Sequence, residues 1–281
     1  PKAPEPAPPR RRQPPQPATQ PVVVEQPKPL SNFFDTYNPA LELEGLSLPP
    51  GTIITTAGPV LAYRALSATS ATKTATPIEQ IPQSIQVLPR ELIKDQANLS
   101  VTEAARNVSN VQGPNDLGIA NTDQTPFKIR GFGADQWLDG LNVLYNTGNH
   151  DAFANIERIE VLKGPSAILY NGGTGATVGG VLNVISKLPT NVPSTEVGVT
   201  FGSHRYFLPY FDINQPLNKE GTVLFRITGE YKQADSFIDV LHTENYAINP
   251  TLTLTNKDTT TLTIQGRISR QSQQAYQGLP V

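Results

Sequence analysis

The chain has 281 residues, a formal net charge of −2 and a charged fraction of only 16%. Near-neutral charge offers no general attraction to nucleic acid, and so few charges are unusual for a soluble domain of this size. The absence of cysteine removes disulfides, thiolate metal sites and cysteine nucleophiles.

Residues 1–29 carry eleven prolines and the run Arg10-Arg11-Arg12, which predicts an extended, polyproline-like arm that cannot pack a core. Residues 30–50 add Phe33, Phe34, Tyr37 and several leucines but are too short for an independent domain, so 1–50 is taken as one Pro-rich disordered arm. A chain that starts at Pro1 without Met is expected either to derive from an exported precursor that has lost its leader or to be a partial sequence.

Gly51-Thr52-Ile53-Ile54-Thr55-Thr56 is a β-prone hexamer in a linker over 51–69. An isolated strand without a partner invites a strand from another protein, and the alternative is a linker strand that packs on the next domain.

A small mixed α/β domain is predicted over 70–190. It has a strand at 84–88, short helices at 90–96 and 101–107, and Ser100 with Glu103 as a capping box. Its central stretch is 126–189. Phe127 to Arg130 is a brief strand that breaks at Gly131. Ile156 to Lys163 places Ile156, Arg158, Glu160 and Leu162 on one face, and Glu157, Ile159, Val161 and Lys163 on the other. Gly164-Pro165 stops that strand, and Pro165 can open the turn Ser166 to Tyr170. Five glycines fall within 172–180, ahead of a last apolar strand at 181–186.

Beyond Pro189 the pattern alternates strictly. Val197, Val199 and Phe201, then Val223, Phe225, Ile227 and Tyr231, then Tyr246, Ile248, Leu252 and Leu254, then Leu262, Ile264 and Ile268 each face polar neighbours. With 207–215 this makes about five strands of membrane-spanning length, joined by tight turns at 218–221 and 256–258 and a longer loop at 236–244. One apolar and one polar face suits a barrel wall between lipid and a hydrated lumen, and equally a soluble sheet with one wet face. No run of 18 apolar residues exists, so no transmembrane helix is expected.

This order of pieces resembles the plug domain of TonB-dependent outer-membrane receptors. The resemblance rests on Ile129-Arg130-Gly131-Phe132, on Arg158 to Pro165 (RIEVLKGP) and on Gly179 to Lys187 (GGVLNVISK). Upstream, Thr72 to Pro77 and Ile81-Pro82-Gln83-Ser84-Ile85 are similar to the plug entry of the ferric-siderophore branch. The resemblance covers roughly 50–281 and implies an α+β plug domain followed by the first antiparallel strands of a transmembrane β-barrel. In that family about 22 strands close around the plug. Five cannot close, and an open edge is not tolerated in hydrocarbon, so the sequence is expected to be the N-terminal part of a longer receptor.

The resemblance further implies a TonB energy-transducing partner acting at Thr52, Ile53, Ile54, Thr55 and Thr56, and an outer-membrane location in contact with lipid. It implies plug–barrel contacts through Arg130, Arg158, Glu160 and Lys163, whose wall partners would lie in strands beyond this sequence. Ligand contacts are expected from plug loops at Gly133, Trp137, Tyr145, Asn146, His150 and Phe153, where Trp137 and Phe153 could equally be packing residues. The ligand would be a ferric siderophore, with iron already chelated, so no cofactor and no protein ligand to metal is implied. The alternatives keep the machinery for another cargo (cobalamin, another metal chelate or an oligosaccharide) or read a stand-alone plug-like binding protein. No enzyme is expected: the three histidines are scattered, and 172–180 lacks the Gly-Lys-Ser/Thr ending of a phosphate loop.

Overall fold

The computed structural model describes residues 53–55, 57–113, 127–142, 152–166, 169–170, 178–236 and 241–273. The expected arm over 1–50 and most of the glycine run at 172–180 lie outside them.

Ile53–Thr55 (β1), Gly58–Leu61 (β2) and Arg64–Ala65 (β3) form an antiparallel meander with β1 at one edge. β1 is therefore not the partnerless strand expected from the sequence: Ile53 stands opposite Val60 and Thr55 opposite Gly58. Ser67–Ala68 (β4) then pairs with Thr76–Pro77 (β5).

The plug proper is a seven-stranded mixed sheet. Its strands are Ser84–Pro89 (β6), Val111–Gln112 (β7), Phe127–Ile129 (β8), Phe132–Leu138 (β9), Leu141–Asn142 (β10), Ile156–Lys163 (β11) and Gly180–Ser186 (β12). Their order is β6-β11-β12-β9-β8-β7, with β10 paired to β9. Only β9 and β12 run parallel, so the pair β11–β12 is the centre on which the rest is hung.

Arg90–Asp95 (α1) and Val101–Ala105 (α2) cover one face. The capping box predicted at α2 forms in a displaced way. Ser100 Oγ accepts the Glu103 N–H at 3.1 Å, while the Glu103 carboxylate reaches one residue further back and accepts the Leu99 N–H at 2.6 Å. Beneath the helices lies an apolar cluster that includes Leu88, Ile93, Val101, Phe127, Ile129, Phe153, Ile156, Ile159, Val161 and Val184. The opposite face holds a second cluster of Ala68, Ala71, Ile81, Trp137, Leu162, Tyr170 and Val181.

The face assignment along β11 differs from strict alternation at one residue. The register slips between Ile156 and Arg158, and this bulge turns Ile156 to the helical face beside Ile159 and Val161, leaving Arg158, Glu160 and Leu162 on the other. The break at Gly131 is a two-residue hairpin turn between Ile129 and Phe132. Arg130 (φ 55°) and Gly131 (φ 85°) both take positive φ, as a type I′ turn requires.

After the plug comes an antiparallel sheet of Ser194–Phe201 (β13), Phe207–Pro216 (β14), Val223–Asp235 (β15), His242–Thr255 (β16), Thr261–Gln265 (β17) and Ile268–Gln273 (β18). Val197, Phe201, Ile248, Leu262, Ile264 and Ile268 are exposed on its outer face, while Asp212, Asn214, Thr228, Asn249 and Thr251 are buried on the inner face against the plug. This is the polarity of a barrel wall. The expected loop at 236–244 is shorter, because β16 begins at His242 opposite Asp235. The fifth expected strand is split into β17 and β18. Pro250 in β16 has no N–H for the ladder, and the neighbouring strand breaks there, with the Gly266 N–H on the Pro250 carbonyl at 2.8 Å.

Candidate functional site

Three clusters of charge, and the edge of β1 that no other described strand pairs, make up the site. The first lies on the second face of the plug sheet. Arg158 and Glu160, both at most 1% exposed, form an ion pair on β11. Glu160 also accepts the Thr69 N–H at 3.1 Å and the Ser70 N–H at 2.7 Å. Arg158 Nη1 lies 3.5 Å from the Ser67 carbonyl. Beside them Asn183 of β12 donates to Ser70 Oγ at 2.8 Å, and the Tyr170 hydroxyl donates to the Ser70 carbonyl at 2.8 Å. Burial pushes the Tyr170 phenol up to about 12. Arg158 and Glu160 are thus engaged inside the plug, with each other and with residues 67–70. This corrects their expected contact with the barrel wall: both alternate inward onto the second face, which the 67–70 segment covers.

Arg130 and Lys163 form the second cluster, at the end of the sheet where the Arg130-Gly131 turn meets Gly164. Arg130 is exposed, and its Nη1 would lie 3.7 Å from a β-carbon at Gly164. Lys163 is buried and donates to Ser109 Oγ at 2.8 Å and Gln86 Oε1 at 3.1 Å. Burial, and then the nearby Arg130 charge, hold its ammonium below the usual lysine range. Among the described residues neither cation is paired with a carboxylate, which leaves a positive corner on the plug.

The third cluster joins plug to wall. Asp212 on β14 accepts Lys187 Nζ at 2.7 Å and takes Arg226 through Nε at 2.8 Å and Nη2 at 2.7 Å. Arg226 Nη1 also donates to the Leu188 carbonyl at 2.8 Å, so the end of the plug is stapled to β14 and β15. Glu230 on β15 accepts the Ala154 N–H at 2.8 Å, and Thr228 donates to Asn155 Oδ1 at 3.0 Å; both receive the short 3-10 turn Phe153–Asn155 of the plug. Lys94 of α1 pairs with Glu196 of β13 at 2.9 Å at a more exposed position. Sequence reasoning looked for wall partners further along the barrel and missed these. Their signal was present: Glu196, Asp212, Arg226 and Glu230 are charges at inward-facing positions of strands whose outer positions are apolar.

Glu230→Gln keeps the shape but weakens a charge-assisted bond to a main-chain donor. It is expected to loosen the plug from the wall by about 2 kcal/mol, read as a lower urea midpoint for protease cleavage within the plug. An unchanged midpoint would show that the plug docks without it.

Of the ligand residues expected from sequence, only Gly133, Trp137 and Phe153 lie among the described residues, and these three do not form one surface. Gly133 is exposed next to the Arg130-Gly131 turn. Trp137 is 6% exposed and stands edge-on to Tyr170 at 4.7 Å, and Phe153 is 7% exposed in the helical-face core. Both are packing residues, the alternative left open for them. Tyr145, Asn146 and His150 lie outside the described residues, as do Thr52 and Thr56 of the expected coupling segment. The remaining Ile53, Ile54 and Thr55 are β1. In a two-residue hairpin the residues flanking the turn spend their ladder groups on each other, so Thr55 and Ile53 bond β2 while Ile54 turns its N–H and C=O to the outer edge.

Residues 77–179 match the model of the TonB-dependent receptor plug domain. The chain is 31% identical over 229 residues to the ferrichrome outer membrane transporter/phage receptor of Escherichia coli K12, covering 79% of this chain and 30% of that protein. It is 30% identical over 219 residues to the ferrioxamine B receptor of Salmonella typhimurium SL1344, covering 75% and 30%. The solved pyoverdine outer membrane receptor FpvA of Pseudomonas aeruginosa PAO1 superposes with a TM-score of 0.66 at 24% identity, over 75% of this chain and 31% of that one. The chain thus spans about 30% of the length of the curated relatives it matches.

Proposed function

The chain belongs to the TonB-dependent receptors, as a plug domain and the first strands of its barrel wall, and from that premise we propose that it serves energised uptake of a ferric siderophore across the outer membrane. The observation that carries this reading is the docking of the plug: a mixed sheet held through Lys187–Asp212–Arg226 and Glu230 to the polar inner face of a wall whose outer face is apolar. Such a joint holds the plug to the wall through a few buried ion pairs and hydrogen bonds rather than through a continuous apolar core, so it can be undone at a small number of defined contacts.

In this reading the outer edge of β1 accepts a strand from a TonB-type protein, and the positive corner at Arg130 and Lys163 receives carboxylates of the wall. Chelated iron binds at the plug loops, Gly133 among them, on the side away from β1. The wall's apolar face contacts outer-membrane lipid. Residues 1–50 act as an arm, 51–69 as the coupling linker, 70–190 as the plug and 191–281 as wall. The family is one of receptors and transporters rather than enzymes.

The test is growth rescue of a siderophore-receptor-deficient strain on defined iron sources by the full-length receptor that carries this chain. Rescue by ferric ferrichrome or ferrioxamine B that depends on the energising partner is the expected result; rescue by neither, or rescue independent of that partner, overturns the reading. A second cargo has one specific support: the metal-pseudopaline receptor CntO of Pseudomonas aeruginosa PAO1 is 30% identical over 217 residues. Uptake of a metal chelate other than iron in the same strain would favour it.

Ile54→Pro deletes the N–H that faces away from β2 while leaving the bonds of Ile53 and Thr55 to β2. Energised uptake should fall by about tenfold or more with ligand binding unchanged. Wild-type uptake in this variant would remove β1 as the coupling strand.

A further inference from the structure

We propose that Lys73, Trp137 and the Asp139-Gly140 turn form a receiving site for a free carboxylate carried by the cargo, so that the receptor takes an acidic ferric chelate in preference to a neutral or basic one. The proposal rests on the uptake reading above and names the class of chelate.

The site is assembled on the second face of the plug sheet. Residues 69–73 cross that face: Ser70 meets Glu160 of β11 and Asn183 of β12, and Lys73 ends over β9. There the Lys73 ammonium lies 3.6 Å from the Tyr170 ring centroid and 5.8 Å from that of Trp137. It also closes on the turn between β9 and β10, where a β-carbon at Gly140 would lie 3.4 Å from Nζ. Asp139 (φ 50°) and Gly140 (φ 77°) both take positive φ in this two-residue turn, and the Gly140 N–H pins it to Asn183 Oδ1 at 3.0 Å. Lys73 itself stands at φ 63°, where glycine or asparagine is the usual choice, so the position holds a lysine against its backbone preference.

What the site lacks is an acceptor. Trp137 packs by its ring, but its Nε1, which can only donate, is buried with no hydrogen-bond partner. Lys73 Nζ also only donates, and among the described residues no ion pair or hydrogen bond takes it up. Burial holds this ammonium below the usual lysine range, and no carboxylate offsets the cost. The Tyr170 hydroxyl is already spent on the Ser70 carbonyl. Two donor-only groups gathered around one ring call for an anion with two oxygens, one for Nζ and one for the indole N–H. A single ammonium matches a single negative charge, which favours a carboxylate over a phosphate dianion. Leu141, just past the turn, is 71% exposed, so apolar surface flanks the charge, as suits an organic acid. The placement fits cargo as well. β1–β3 pack against β6 at one edge of the sheet, whereas Trp137 and Gly140 stand at β9–β10, with β11 and β12 between. β10 leads into the sequence that holds Tyr145, Asn146 and His150.

Ferrioxamine B supplies matched probes. Its pendant ammonium can be acylated, so that the N-succinyl derivative ends in a carboxylate and the N-acetyl derivative is neutral, on the same ferric core. The full-length receptor that carries this chain, in outer membranes, should bind the N-succinyl chelate about tenfold more tightly than the N-acetyl chelate. Lys73→Gln should erase that difference with N-acetyl affinity unchanged. Lys73→Glu should turn it in favour of ferrioxamine B itself, and Trp137→Phe should reduce it by about threefold or more. Equal binding of the succinyl and acetyl chelates by the parent receptor overturns the proposal. So does a preference that survives Lys73→Gln or is undiminished in Trp137→Phe. If none of the three chelates binds, the siderophore reading fails instead, and the site is judged by footprinting. Ferric citrate, which carries further carboxylates, should then slow acetylation of Lys73 by N-hydroxysuccinimidyl acetate about tenfold, read by peptide mass spectrometry, while ferrichrome should not. Acetylation of Lys73 at the same rate with and without ferric citrate overturns the site.

Discussion

Glu160→Ala should cost the plug about 3–5 kcal/mol, because it strands a buried guanidinium. Arg158 is 1% exposed, and among the described residues its charge is balanced by that carboxylate alone. The same change removes the acceptor of the Thr69 and Ser70 amides. These two losses separate in a double variant. Arg158→Leu with Glu160→Leu removes both charges and restores most of the stability. What remains is the loss at the Thr69 and Ser70 amides, about 1–3 kcal/mol. Urea unfolding of the plug followed by fluorescence is the natural measurement, since Trp137 is the one tryptophan of this sequence and packs edge-on to Tyr170, whose hydroxyl bonds Ser70. A single variant that unfolds within about 1 kcal/mol of the parent would mean that Arg158 finds water or another anion.

Gly180→Ala is expected to be at least as damaging, about 4 kcal/mol or more. Gly180 opens β12 at φ 133°, and a β-carbon there would overlap the carbonyl oxygen of Leu162 on β11. The obstacle is backbone on the central strand pair, so no rotamer change relieves it. The neighbouring Gly179 is nearly as constrained, with a β-carbon meeting the Phe132 and Gly133 carbonyls at 2.5 and 2.6 Å. Gly131 provides the contrast: its φ of 85° carries only the intrinsic left-handed cost, and a β-carbon there meets nothing within 4 Å. Gly131→Ala should therefore cost about 1 kcal/mol. Protease resistance of the membrane-embedded plug ranks the three. Equal loss for Gly131→Ala and Gly180→Ala would show that turn conformation, rather than the close approach of β11 and β12, makes the glycines necessary.

Much of the architecture was legible because it is written locally. A strand between lipid and a wet lumen must alternate, and the outer positions Val197, Phe201, Ile248, Leu262 and Ile264 could be picked out by period alone. The Ser100–Glu103 cap needs only three residues of spacing, and the break of the strand at Gly131 only a glycine; that Arg130 also takes positive φ was not legible. The motifs around Arg158 and Gly179 were enough to assign the plug.

What only the tertiary structure decided is where each polar group finds its partner. Arg158 and Glu160 could be placed on one face of β11, but nothing local says that the face is roofed by residues ninety positions earlier. The bulge that turns Ile156 over, and the break of the last wall strand opposite Pro250, arise from neighbours across the sheet. Trp137 and Phe153 are aromatic in either role, and burial, which depends on the packing of distant segments, made them core. Periodicity reports which way a side chain points. It carries no record of what stands opposite, because a buried charge is satisfied by geometry between chain segments that the sequence separates.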